Sequence, residues 1–303
     1  MRWEKKGLIY GPTGDCEWRN NSAMKPIPIL IDGVIRVYFT YRDSTGAGLP
    51  GYVELNPNNP SEVLYECREP LLQMGRPGEF DDNGVVPCTV FEDDGKYYMY
   101  YTGFKKEIKV RMTYFSGLGI SSDGKKFEKF SDIPVMDRIS GESLFRSVQC
   151  ILKEEDKYKV YYVAGNSFKQ GKSKTLAEYE LYCLETDDLT KLNCSGKKVM
   201  PCVGDEYRIG SPHVFKEDGI YKMYFCTGSE TVVYDLAYAE SKDGYNWERK
   251  DGFLNGLERS SEGWESDMAA YPWIIDCNGH RYIFYNGNQF GYYGFGYAEL
   301  VEE

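Results

Sequence analysis

The sequence is short of positive charge: 36 Lys and Arg face 47 Asp and Glu, a formal net charge of −11. A nucleic-acid partner needs a basic face for its phosphates, so this balance argues against one. Long apolar runs are also missing. No stretch approaches the roughly 20 residues that cross a bilayer as a helix, and no membrane insertion is expected. The first residues lack the basic start and apolar core of a secretory signal. Nine cysteines are scattered singly with no C-x-x-C pair, which removes the usual structural zinc signature. Their odd number does not look like a disulfide framework, so the expected home is the reducing cytoplasm.

What is present is aromatic and glycine-rich: 16% aromatic residues, 27 Tyr and 32 Gly, a mixture that favours strands joined by tight turns. One aromatic strand core recurs as "DGVIRVYFT", "DGKYYMYYT", "EDKYKVYYV", "DGIYKMYFC" and "NGHRYIFYN". Its marker residues are Tyr38, Tyr100, Tyr161, Tyr224 and Phe284, spaced roughly sixty residues apart, which marks a repeat architecture. Four cores open with D-G or N-G, the strongest short signal for a two-residue hairpin. Each unit reads as four strands: an apolar first strand that starts at a Pro in four units, the aromatic second, a shorter third, and an edge strand.

The opening "MRWEKKGLIYG" nearly repeats "YNWERKDGFLNG" (245–256), which is a fourth strand with its continuation. The fifth unit stops at its third strand, "FGYAEL". Its fourth is therefore expected to be the N-terminal "RWEKKGLIY", which closes a ring and removes the open sheet edges. The reading is all-β: a single five-bladed β-propeller with four-stranded blades at approximately 16–75, 76–140, 141–203, 204–262 and 263–303 plus 1–15. Two stacked sandwiches would leave the displaced strand unexplained.

In such a ring the short D-G and S-x-D-G turns share one face. The longer second-to-third loops and the unit-to-unit connections share the other, where function concentrates. Five residues ahead of the Pro position lie Asn21, Asp82, Leu144, Tyr207 and Asp267. Asp82 and Asp267 thus form an in-register carboxylate pair, the equipment of glycosidic-bond cleavage, although Asp also caps turns in such places. Around them the candidate substrate-binding residues are Arg19, Asn21, Arg42, Asp43, Asp81, Arg208, Trp264, Glu265, Tyr271, Asn286 and Asn288. Trp18, Trp264 and Tyr271 offer ring faces for a sugar, or packing between blades. Two loops are basic: Lys105, Lys106, Lys109 and Arg111 in the second unit, and Lys169, Lys172 and Lys174 in the third. They would attract an anionic group if they face the ligand and are otherwise solvated. Cys88, Cys150 and His213 follow the Pro position of consecutive units. Small apolar packing accounts for them, and neither a metal nor another cofactor is assigned.

The five-unit pattern with "PHVFKEDGIYKMYF" resembles the five-bladed propeller glycoside hydrolases, the clan of arabinanases, β-xylosidases and invertases. At the places where that clan carries its base, its pKa-modulating Asp and its acid, this chain reads Lys25-Pro26, Pro87-Cys88 and Gly210-Ser211-Pro212. The segments "EWRN", "RVYFTYRD", "FDDNGVVP", "EGWESDMAAYP" and "YNGNQFGYYGFGYAEL" are more similar to glycosidase-like bacterial propellers associated with surface-polysaccharide biosynthesis. The resemblance implies a carbohydrate partner. Two expectations follow. One is a carbohydrate-active enzyme that cleaves or transfers a glycosyl group with Asp82 and Asp267, by hydrolysis, phosphorolysis or transfer. The other is an inactive glycan-binding or assembly module.

Overall fold

The computed structural model describes every residue except Ser173, Lys174, Asp251 and Glu303, so Lys174 of the basic loop lies outside the described residues. The described chain is nearly all strand. Strand β1 (Arg2–Tyr10) comes first, followed by a 3-10 turn at Glu17–Arg19. Unit one holds β2 (Asn21–Ile31), β3 (Val34–Arg42), β4 (Gly48–Asn56) and β5 (Asn59–Glu66). Unit two holds β6 (Gly84–Asp93), β7 (Lys96–Lys106), β8 (Met112–Ser121) and β9 (Glu128–Lys129). Unit three holds β10 (Phe145–Lys153), β11 (Tyr158–Gln170), β12 (Thr175–Thr186) and β13 (Lys197–Met200). Unit four holds β14 (Arg208–Glu217), β15 (Ile220–Gly228), β16 (Asp235–Ser241) and β17 (Trp247–Arg249). The last unit holds β18 (Ala270–Cys277), β19 (His280–Asn286), the single helical turn α1 (Asn288–Gly291) and β20 (Phe295–Glu302).

Within each unit consecutive strands pair antiparallel. Strand β1 pairs antiparallel with β20, with Trp3 opposite Leu300 and Tyr10 opposite Phe295, so the N-terminal strand supplies the fourth strand of the last sheet. A single parallel pair joins units one and two at Gly48 and Gly84, and another joins units three and four at Tyr179 and Arg208. The first strands touch in succession, β2 to β6, β6 to β10, β10 to β14 and β14 to β18, and β18 touches β2.

Local chemistry explains the turns. At Asp32-Gly33, Asp94-Gly95, Asp218-Gly219 and Asn278-Gly279 both central residues have positive φ, the conformation of a type I′ hairpin, which Asp, Asn and Gly tolerate best. The S-x-D-G turns are held twice in the same way. Asp123 accepts from the Lys125 and Lys126 amides, and Asp243 from those of Tyr245 and Asn246, while Ser121 and Ser241 donate to the respective Asp.

The repeating tyrosines fasten neighbours together. Tyr38 donates to the Gly124 carbonyl at 2.7 Å, Tyr100 to that of Leu189 at 2.7 Å and Tyr161 to that of Gly244 at 3.0 Å. Each reaches from its own unit into the next. Tyr224 continues the series to Met1 and packs against Trp3, which is only 3% exposed. The apolar cores fill the spaces between sheets; one of them joins residues of units one, two and five to Tyr10 of β1.

Candidate functional site

The first strands share a distortion. Each pairs with its second strand through a register shift, between Met24 and Ile27, Pro87 and Thr89, Val148 and Cys150, Gly210 and His213, and Ala270 and Trp273. A bulge of this kind bends the strand and redirects a side chain. In units one, four and five the residue just before the Pro has positive φ: Lys25 at 62°, Ser211 at 49° and Tyr271 at 59°. A residue ahead of Pro is normally extended, and a left-handed non-glycine residue costs about 1–3 kcal/mol. Three such residues at equivalent places all border one cavity.

That cavity, of about 220 Å³, draws its walls from all five units on the face of the second-to-third loops. The floor is a polar chain. Lys25 Nζ donates to Gln149 Oε1 at 2.6 Å, Gln149 Nε2 donates to Ser147 Oγ at 2.9 Å, and the hydroxyls of Ser147 and Thr102 lie 2.6 Å apart. Thr102 in turn meets the Cys88 thiol at 3.0 Å. Around the rim stand rings. Tyr114 packs edge-on against Phe104 and Phe145, and Tyr234 packs against Tyr271 and Phe290. Burial pushes the Tyr271 and Tyr234 hydroxyls above the usual phenol range, so both are neutral donors.

The charge of the cavity has one sign. Lys25, Arg42, Arg111 and Arg208 line it, and among the described residues no Asp or Glu does. Among the described residues none of these four cations forms an ion pair with a carboxylate. Buried cations elsewhere are paired: Arg36 with Glu54 at 2.7 Å, Arg146 with Glu142 at 2.5 Å and Lys159 with Glu185 at 2.6 Å. Among the described residues the Arg42 guanidinium has a hydrogen bond only to the Met24 sulfur, at 3.1 Å. Arg208 gives one bond to the Val233 carbonyl and lies over the Tyr234 ring at 4.0 Å, while its buried Nε has no partner. Burial first, and then the nearby Arg111, lower the pKa of the Arg42 guanidinium.

Of the residues singled out in the sequence, Arg42, Cys88, Tyr207, Arg208 and Tyr271 border this cavity, together with Arg111 of the basic loop. Asp82 and Asp267 do not border it. Asp82 Oδ2 accepts from the Gly78 amide at 2.8 Å, and the exposed Asp267 has its amide bound to Asn288 Oδ1 at 2.7 Å. Tyr207, at the same register in unit four, does border the cavity, so the register alone does not keep these two out. Asp43 folds onto its own loop, accepting from Thr45 and Ala47. Asn21 donates to the Asp43 carbonyl, and Arg19 pairs with Asp15 and Glu66. Asp81 is fully buried against Lys129 and Tyr101. Glu265 takes the Tyr285 hydroxyl and Lys5, and Trp264 stacks on Tyr285. Asn286 and Asn288 bond to backbone: Asn286 ties unit five to β2 through the Lys25 amide and the Ala23 carbonyl, and Asn288 holds Asp267, Met268 and Gly263. Lys169 pairs with Glu230.

Cys88 borders the cavity, Cys150 bonds to the Val214 backbone, and His213 stacks on Trp273 at 4.3 Å while accepting the Ile274 amide. Burial drives the His213 pKa down to about 3, so it is neutral. The sequence reading passed over the cavity-facing roles of Lys25, Ser211, Gln149, Tyr114 and Tyr234. The X-Pro dipeptides Lys25-Pro26, Ser211-Pro212 and Tyr271-Pro272, two of them at places where the resembled clan carries catalytic residues, were usable signals.

Comparison with known proteins bears on this geometry. No family model matches the chain. The uncharacterized protein Rv1502 of Mycobacterium tuberculosis strain H37Rv is 29% identical over 308 residues, 99% of each chain, and MT1551 of strain CDC 1551 matches to the same extent. Among solved structures, one described as a glycoside hydrolase superposes with a TM-score of 0.77 at 18% identity, over 99% of this chain and 92% of that one. One described as a complex of BT0996 and RGII gives 0.76 at 19%, with the same coverage. A structure from a study of mannoside phosphorylases and glycoside hydrolases that target β-1,2 mannosidic linkages gives 0.68 at 15%, over 98% and 93%. The chain shares the fold of these propeller enzymes.

Proposed function

We propose that this chain is a five-bladed propeller of the glycosidase type, closed by β1, that takes a carbohydrate in its central cavity. The successive contacts of the first strands and the β1–β20 pairing support the ring. The observation that carries the functional reading is the strained trio of Lys25, Ser211 and Tyr271 around that cavity. Strain persists where surrounding structure enforces it, and such places cluster at binding and active sites. Ring faces beside amide and hydroxyl groups suit a sugar, whose apolar face stacks while its hydroxyls seek polar partners.

The geometry favours recognition, or chemistry without the clan's three carboxylates. The places that resemblance assigns to them hold Lys25, Cys88, Gly210 and Ser211, and all four residues border the cavity. A second reading keeps Asp82 and Asp267 as a pair that cleaves or transfers a glycosyl group outside the cavity. It is favoured by their freedom from ion pairs among the described residues. A role in surface-polysaccharide assembly in the reducing cytoplasm extends either reading; the nine free cysteines fit such a compartment.

Titration calorimetry with a panel of neutral and charged monosaccharides tests the cavity. Tyr271→Ala and Tyr114→Ala should each weaken the best ligand at least about tenfold, since stacking on an aromatic ring contributes on the order of 1–3 kcal/mol. Unchanged affinity in both variants overturns the reading. Aryl-glycoside turnover, with and without inorganic phosphate, is then measured for the wild type, Asp82→Asn and Asp267→Asn. Turnover lost in both variants with binding retained selects the carboxylate pair; binding without turnover in the wild type selects the module.

A further inference from the structure

We infer that the sugar bound here carries a phosphoryl group, with the phosphate seated among Arg42, Arg111 and Arg208 and facing the Lys25 ammonium on the floor. The inference rests on the cavity being the carbohydrate site. In a chain of net charge −11, four cations collect in one cavity that no acid among the described residues borders. Two of them are visibly short of partners. Among the described residues, Lys25, 6% exposed, has one hydrogen-bond acceptor for its three protons, and the buried Arg208 Nε has none. All three guanidiniums act on the Tyr114 hydroxyl, opposing the upward push of burial on its pKa, so they share one field.

Like charges held together in a half-enclosed site repel unless an anion joins them. A phosphoryl group brings a charge of about −1.5 to −2 and three terminal acceptor oxygens, which guanidinium forks match in geometry. A sugar carboxylate brings about one negative charge and two oxygens, and would leave most of the positive charge uncompensated. Arginine is also the cation that remains charged under any burial seen here. The rings of Tyr114, Tyr271 and Phe290 then face the uncharged part of the ligand.

The test uses the 303-residue chain with inorganic phosphate, glucose 1-phosphate, glucose and glucuronate, followed by calorimetry and thermal unfolding. Phosphate is expected to bind one site per chain and raise the unfolding midpoint. The sugar phosphate should bind at least tenfold more tightly than the free sugar. Arg42→Gln and Arg208→Gln should each weaken phosphate at least tenfold, with Arg42→Lys recovering part of the loss. Arg111 is exposed, so Arg111→Gln leaves folding intact and should still cost about three- to tenfold. Phosphate affinity unchanged in the arginine variants, or glucuronate bound more tightly than the phosphate ester, overturns the inference. Glucose bound as tightly as its phosphate sinks this inference alone; no binding of any sugar or of phosphate sinks the carbohydrate reading as well.

Discussion

Lys25→Met should make the free protein more stable while making it a worse receptor for anions. Lys25 is 6% exposed, holds one acceptor at 2.6 Å and has no carboxylate partner among the described residues. Taking an ammonium out of water without a counter-charge costs several kcal/mol even after relaxation. Its charged hydrogen bond to Gln149 returns about 1.5–3 kcal/mol. Met keeps the unbranched shape and the left-handed backbone at φ 62°, so neither packing nor strain changes much. Gln149 Oε1 retains the Ser211 hydroxyl at 3.5 Å. The balance is a gain of about 1–3 kcal/mol, or about 2–6 °C in the unfolding midpoint for a chain of this size. Circular-dichroism melts without added anion measure that gain. Repeating them with phosphate at about a hundred times its wild-type Kd should show about 2.7 kcal/mol of protection for the wild type and much less for the variant. A variant that melts below the wild type by more than about 1 kcal/mol refutes the reasoning, because the ammonium would then be a settled structural group rather than an unfilled one.

Trp3→Ala, which removes a side chain only 3% exposed at the junction of β1 with unit four, should cost about 3–5 kcal/mol and lower the melting midpoint accordingly. Asn286→Ala leaves the Lys25 amide and the Ala23 and Gly294 carbonyls without their partner. Chemical denaturation should register a loss of about 2–4 kcal/mol. Glu217, hydrogen-bonded by Arg281 and Lys222, has its pKa lowered from 4.5 to about 2. Its folded pKa is depressed, so its stabilising contribution is complete above about pH 4.5 and disappears as the pH falls towards 2. Glu217→Gln should therefore flatten the decline of the melting midpoint over that window, and an unaltered acid limb would show the pairing to be inconsequential.

Much of the architecture was legible because its determinants are local. The D-G and N-G pairs mark the type I′ hairpins directly, since both central residues must take positive φ. The third unit lacks such a pair and turns instead through a Glu154 amide bonded to the Lys157 carbonyl. The periodic tyrosines were visible as a spacing, and the structure supplies the reason: Tyr38, Tyr100 and Tyr161 each fasten the following unit through a hydroxyl. The site was harder to see. Asp43, Asn286 and Asn288 have the chemistry of ligand-binding groups, but they stand near strand ends where unpaired backbone amides and carbonyls are plentiful. Those nearer partners took them first. Lys25, Ser211 and Tyr271 face the cavity because of bulges and left-handed backbone, which leave no trace in an alternation of polar and apolar letters.

Arg2 bonds to Glu302 across 300 positions of chain, so β1 is synthesised long before the strand it pairs with. Until Phe295–Glu302 emerges, β1 waits as an orphan edge, and the growing protein must be kept from pairing it with another molecule. Closure of this sheet thus waits on the synthesis of β20, and a fault within that strand would leave β1 adhesive.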